Sequence, residues 1–291
     1  MTYYQFVQAV ETKVKEVVRD KIEVCAHTAE KNNGVTRKGI MLTERGINIS
    51  PTIYLEEYYR QFQNGNSLDH IAADILRLYH EVRFRKSWDA EKMTDYEKVE
   101  DRIIYRLVNR GANEKFLENV PHIPYLDLAI VFCVLLEITR HGTATMAVNR
   151  EHARMWGVSG EDLYKKASEN TCRLLPDDFS TMSKVIEELS DMPQEDGEEY
   201  MYVLSNRIRS YGSAAILYDR RLEGIGMYLK SNYYVLPSSI HEVIIIPEKA
   251  APGKEPLSQM VGEINRTQVA EEEILSDHAY YYDREKKRLI L

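Results

Sequence analysis

The sequence predicts an α+β protein, on three observations. Apolar residues at helical spacing recur along the chain, beginning at its N-terminus. Runs rich in β-branched and aromatic residues are separated by short turn signals, which makes the strands mainly hairpin-connected. Helices and such hairpins are interspersed without a regular strand–helix–strand alternation. The expected layout is an N-terminal helix, β-hairpin and helices over 1–120. A C-terminal mixed α+β unit with mainly antiparallel strands is expected over 121–291.

Phe6, Val10, Val14, Val17 and Val18 predict an amphipathic helix over 3–19. Ile22, Val24 and Ala26 alternate with polar residues and predict a strand. Asn33-Gly34 is a hairpin signal because both residues tolerate positive φ, and Val35–Leu42 returns as the partner. Ile47–Ile49 is expected as a third strand. Ser50-Pro51 pairs a hydroxyl cap with a first-turn proline and predicts a helix over 51–63. Ser67 caps the next, with Ile71, Ile75, Leu78 and Val82 on one face. Thr94 and Glu97 form a capping box for a helix lined by Val99, Ile103, Leu107 and Val108. Asn113 caps a short helix ending near Val120.

After Pro121 the pattern changes. Leu128–Leu136 is a nearly unbroken apolar run, as in a strand buried on both faces with Thr143–Val148 as its partner, though its length alone also fits a buried helix. Asn149 caps a helix closed at Gly157, and Ser159 with Asp162 caps another through Ala167. Asp191–Glu199 is acidic, carries Pro193 and Gly197, and reads as an exposed loop. Met201–Leu204 and Ala214–Tyr218 are expected as a hairpin, followed by a helix from Asp219. Tyr233–Leu236 and Val243–Ile246 are strands, 257–264 a helix, and Ala279–Tyr282 with Arg288–Leu291 a final hairpin.

The 291 residues allow one large domain or two ordinary ones. At 44% hydrophobic and 29% charged residues, the composition is that of a globular protein able to fold without disulfides or metal. The net charge of −8 repels phosphate backbones and anionic lipid, so neither nucleic acid nor membrane is an expected partner. The densest basic strip is Arg83, Arg85 and Lys86. Cys25, Cys133 and Cys172 are odd in number and widely spaced, which points to free thiols in a reducing compartment. The N-terminal MTYYQFVQAVETKVKEVV lacks the basic and apolar regions of a secretory signal. No apolar run approaches the ~20 residues of a bilayer-spanning helix. A cytoplasmic protein is therefore expected.

The chemistry-bearing residues gather in few places. Pro237, Ser238, Ser239, His241 and Glu242 form a polar knot between two strands, combining hydroxyl, imidazole and carboxylate. Nucleophilic catalysis needs those groups within hydrogen-bond reach, and Asp277, in Leu275-Ser276-Asp277-His278, could orient the histidine. Yet no GxSxG elbow occurs, and prolines and serines also build turns for their own reasons. A second group, Ser205, Asn206, Arg207 and Arg209, has the donors to grip a carboxylate or phosphate, with Gly212 allowing close backbone approach. Metal ligation is not expected: His122, His141 and His152 are dispersed and no ligand-pair spacing occurs. No phosphate-loop or dinucleotide fingerprint is present, so no cofactor is expected. Twenty tyrosines, clustered at Tyr58-Tyr59, Tyr233-Tyr234 and Tyr280–Tyr282, suit half-buried strands and partner surfaces alike.

Seven segments carry a family likeness: NISPTIYLEEYY (48–59), YLDLAIVF (125–132), MWGVSGEDLYKKASENT (155–171), YVLSN (202–206), GSAAILY (212–218), YVLPSSIHEVIIIP (234–247) and EINRTQVAEEEILSDHAYYYDRE (263–285). They resemble the bacterial family catalogued as domain of unknown function 5688. WGVSGEDLYKKASEN is also similar to a stretch of the YtpQ-like proteins. The resemblance implies a cytoplasmic bacterial protein and carries over no catalytic residue. A binding or regulatory module with an unknown protein or small-molecule partner is the expected function. The alternative is a hydrolase or transferase using Ser238, Ser239, His241 and Asp277.

Overall fold

The computed structural model describes residues 1–19, 22–85, 87–139, 142–190 and 199–291. Lys86, His141 and most of the acidic stretch at 191–199 therefore lie outside the described residues. The chain divides into two compact units, Met1–Ala90 and Glu91–Leu291. This division falls earlier than the break expected at residue 120. No described helix is long and apolar enough to cross a membrane.

In the first unit, helix α1 (Tyr3–Val18) opens with a capping box between Thr2 and Gln5. Its buried stripe of Phe6, Val7, Val10 and Val14 faces the antiparallel hairpin of β1 (Ile22–Glu30) and β2 (Thr36–Glu44). Asn33 and Gly34 take positive φ at the turn, 60° and 69°, as the sequence demands. A third strand completes the sheet, but it is β3 (Thr52–Tyr54) rather than 47–49, and no helix starts at Pro51. The reason is Gly39. A Cβ there would lie 2.5 Å from the Ile53 carbonyl oxygen, so the missing side chain lets β3 close against β2. Helices α2 (Glu56–Gln63) and α3 (Leu68–Val82) follow, the latter capped by Ser67. Ile71, Ile75 and Tyr79 complete a core with Ile40, Leu42 and Ile53. Each such aliphatic burial contributes roughly 1.5–3 kcal/mol.

The second unit begins with the short helix α4 (Tyr96–Val99), capped by Asp95 rather than Thr94. The segment expected to continue it is instead strand β4 (Ile103–Asn109). Ile103, Ile104, Tyr105, Leu107 and Val108 are all buried, so both faces are apolar and the two-residue period is masked. After α5 (Glu114–Leu117), where Asn113 bonds the Asn109 carbonyl instead of capping, β5 (His122–Tyr125), β6 (Leu128–Thr139) and β7 (Gly142–Ala147) complete a four-stranded antiparallel sheet. The unbroken apolar run is its central strand. Helix α6 (Arg150–Trp156) has an Asn149–His152 capping box and closes at Gly157. Helix α7 (Gly160–Leu174) has a Ser159–Asp162 box. Helix α7 covers the open edge of β4: Asn170 donates to the Ile103 carbonyl (3.0 Å), and Thr171 Oγ1 accepts the Tyr105 N–H (3.1 Å).

A six-stranded antiparallel sheet follows, in the order β13-β12-β10-β11-β9-β8. Its members are β8 (Asp177–Thr181), β9 (Tyr202–Asn206), β10 (Tyr233–Leu236), β11 (Val243–Pro247), β12 (Tyr280–Asp283) and β13 (Arg288–Ile290). Helices α8 (Met182–Ser190), α9 (Arg221–Leu229) and α10 (Lys254–Thr267) lie between them in sequence. The hairpin expected between Met201–Leu204 and Ala214–Tyr218 does not form. β9 pairs with β8 and β11, and 212–217 is a 3₁₀ turn. Gly212 explains this: its Cβ would lie 2.1 Å from Ser205 Oγ and 2.5 Å from the His241 carbonyl oxygen. The segment crosses the end of β9 rather than running beside it.

The two sheets of this unit meet through Asp127, in the turn between β5 and β6. Its Oδ2 accepts from the Ser276 hydroxyl at 2.7 Å and its Oδ1 from the Tyr280 hydroxyl. Ser276 and Tyr280 are fully buried. Asn109 Nδ2 adds a bond to the Leu275 carbonyl at 2.9 Å.

Two outcomes follow. Limited proteolysis of the whole chain is expected to cut within 83–93 and leave two stable fragments; a single resistant core, or a first cut within 111–121, would contradict the division. Asp127→Ala, which strands two buried hydroxyls, is expected to lower stability by about 2–4 kcal/mol in denaturant melts; a change under about 0.5 kcal/mol would show the tie to be idle.

Candidate functional site

The polar knot is held by its neighbours on three sides. Its backbone is pinned to the segment after α10: Ile240 N–H donates to the Glu273 carbonyl (2.8 Å), Leu275 N–H to Ser238 (3.0 Å) and Ser276 N–H to Pro237 (2.9 Å). On the other side, the Ser205 hydroxyl donates to the His241 carbonyl (2.7 Å) and the Ser213 hydroxyl to the Ile240 carbonyl (2.8 Å). Within the knot, Ser239 Oγ accepts the His241 backbone N–H at 3.0 Å. Ser205, Ser213 and Ser239 are all buried. Their hydroxyls satisfy backbone groups, although the Ile240 carbonyl also accepts the Ser213 N–H at 3.3 Å.

The imidazole of His241 makes different contacts. Its Nδ1 accepts the Tyr211 N–H at 3.3 Å, so a neutral ring carries its proton on Nε2. That nitrogen faces Glu273 Oε1 at 3.5 Å. The Tyr211 ring lies 5.8 Å from the imidazole, and the Arg106 guanidinium sits 5.0 Å from the centre of the tyrosine ring. Arg106, Tyr211, His241 and Glu273 thus form a chain of contacts across β4, the 207–211 loop, the knot and the 3₁₀ turn at Glu271–Glu273.

The remaining sequence-predicted residues fall around this row. Asn206 is structural: its Oδ1 accepts the N–H groups of Ile208 (3.1 Å) and Ser210 (3.3 Å), and its Nδ2 donates to the Ser210 carbonyl (2.9 Å). That clasp holds Arg209 and Tyr211 at φ of 53° and 52°, a conformation unfavourable to side chains with a Cβ. Arg209 pairs with Glu188 at 3.1 Å and approaches Asp178 at 3.9 Å. Arg207 is exposed, with its backbone N–H on the Pro176 carbonyl. Ser238 contributes its carbonyl. Asp277 turns away from the histidine, accepting from Asn265 Nδ2 of α10 at 2.7 Å. No hydroxyl bonds the His241 ring among the described residues.

Glu242 is half-buried, and its carboxylate has no ion-pair partner among the described residues. Burial pushes its pKa above the ordinary glutamate value, against the smaller opposing pull of His241 and Arg209. Sequence reasoning assigned none of Arg106, Tyr211 and Glu273 to a site. Arg106 left a signal, being the only charge in IIYRLVN; the other two left none.

Above its ordinary pKa of about 4.5, Glu242 binds more proton in the folded chain than in the unfolded one. Its stability cost therefore vanishes in acid and grows as pH rises through the raised folded value. Glu242→Gln is expected to raise Tm at pH 7–8 and leave it nearly unchanged at pH 4. An equal effect at both pH values would show that the carboxylate is not strained.

No curated protein and no solved structure matches the chain. The model of a family of unknown function, DUF5688, matches residues 3–284, nearly its whole length; the chain belongs to that family.

Proposed function

We propose that the chain is a binding or regulatory module whose recognition surface is the corner formed by Tyr211, His241, Glu242 and Glu273. One observation carries this reading: the hydroxyls of Ser205, Ser213 and Ser239 at the corner engage backbone carbonyls and an N–H group, while the ionisable side chains stay at least partly open to solvent. Hydroxyls so engaged brace a shape; they are not poised beside a base. The unpaired, half-buried Glu242 supports the same reading, because a group that costs stability is a marker of function. A cytoplasmic setting is supported by Cys25, Cys133 and Cys172, all free thiols.

The decisive experiment is affinity capture from the native host with the wild-type chain, His241→Ala and Glu242→Gln. A protein or metabolite retained by wild type and lost from both variants, with neither variant melting below wild type, is the expected result. Turnover of an activated ester that Ser239→Ala abolishes would establish the hydrolase alternative instead.

A further inference from the structure

Away from the corner, a cleft of about 420 Å³ opens between the start of α9, the β12–β13 hairpin and the β5–β6 turn. That volume is within the range of small-molecule sites, roughly 300–1,000 Å³. Its apolar wall includes Tyr125, Ile216, Leu222 and Leu289, and its rim carries Arg220, Arg221, Lys287 and Arg288 against Asp219 and Glu223. Four cations to two carboxylates is a positive island on a chain of net charge −8.

The cations are not equivalent. Arg221 pairs with Asp177 at 2.8 Å and Lys287 with Glu223 at 2.6 Å. Arg220 and Arg288 are exposed and make no ion pair among the described residues. Arg220 also sits at φ 53°, a backbone cost borne at the point where α9 begins without a capping side chain. The Tyr125 hydroxyl bonds no described residue and remains a protonated donor, because burial pushes its pKa up to about 12. The Glu223–Lys287 pair and Tyr282 line both this cleft and an adjoining, larger hollow of about 750 Å³.

We infer that this cleft binds a small amphipathic anion, a phosphate or carboxylate head held by Arg220 and Arg288 with an apolar body against Tyr125 and Leu289. Guanidinium groups suit such heads because they donate two parallel hydrogen bonds. The inference rests on the chain being a binding module, but not on the His241 corner.

Titration calorimetry of the whole chain at low salt tests it, with phenyl phosphate, inorganic phosphate and phenol as probes. Phenyl phosphate is expected to bind at least tenfold more tightly than either half. The Arg220→Gln/Arg288→Gln double variant, altered only at exposed side chains, should weaken it at least tenfold. Glu223→Gln, which frees Lys287, should tighten it. No binding of phenyl phosphate at millimolar concentration, or equal binding by the double variant, overturns the assignment. Binding that survives the double variant but is lost in His241→Ala would move the ligand to the corner, and with it refute the cleft while sparing the binding-module reading.

Discussion

The second unit depends on a single carboxylate. Asp127 sits in a turn of the four-stranded sheet, yet both of its oxygens serve residues at the start of the last hairpin of the six-stranded sheet. Burial, followed by the neighbouring charge of Asp127, raises the pKa of the Tyr280 hydroxyl far beyond the ordinary phenol range, so it remains a donor at any physiological pH. The bond is charge-assisted and stronger than a neutral one. Its consequence reaches further than the two sheets. Leu275 and Ser276 are the residues whose N–H groups pin Ser238 and Pro237, so the knot takes its position from the same anchor.

That anchoring explains why the corner is a shape before it is a chemistry. Three buried serines meet carbonyls or an N–H group at tight chain crossings. An apolar substitute at Ser205 or Ser239 would strand a backbone group at about 1–3 kcal/mol. The side chains left over, His241, Glu242, Glu273 and Tyr211, are displayed on a backbone with little freedom to move. Preorganisation of this kind lowers the entropic cost of binding.

Much of the fold was legible where local chemistry decides structure. The Asn33-Gly34 turn, the Ser67, Asn149 and Ser159 caps and the buried run at 128–136 each depend on a few neighbouring residues, and each is found. The errors have the opposite character. Whether 103–109 is helix or strand is set by β6 and α7, distant in sequence, which take up the backbone groups along its two edges. Whether 212–217 is strand or turn is set by how closely Gly212 must pass Ser205 and His241. The site was legible to the same degree. The knot and Ser205-Asn206 do come together, because strand ends and their loops gather chemistry. Asp277 does not join them: Asn265 of α10 captures it, a contact that no spacing in the sequence encodes.

Among the described residues, the six-stranded sheet ends on one side at β8 and on the other at β13. The first margin carries Asp177 and Asp178; the second carries Arg288, with Lys286 and Lys287 in the turn before it. Most of this charge is met within the chain: Asp177 pairs with Arg221, Lys286 with Asp283 and Lys287 with Glu223. A foreign strand added at either rim would have to break these pairs or leave a charge unmatched, which is how charged edges discourage strand addition.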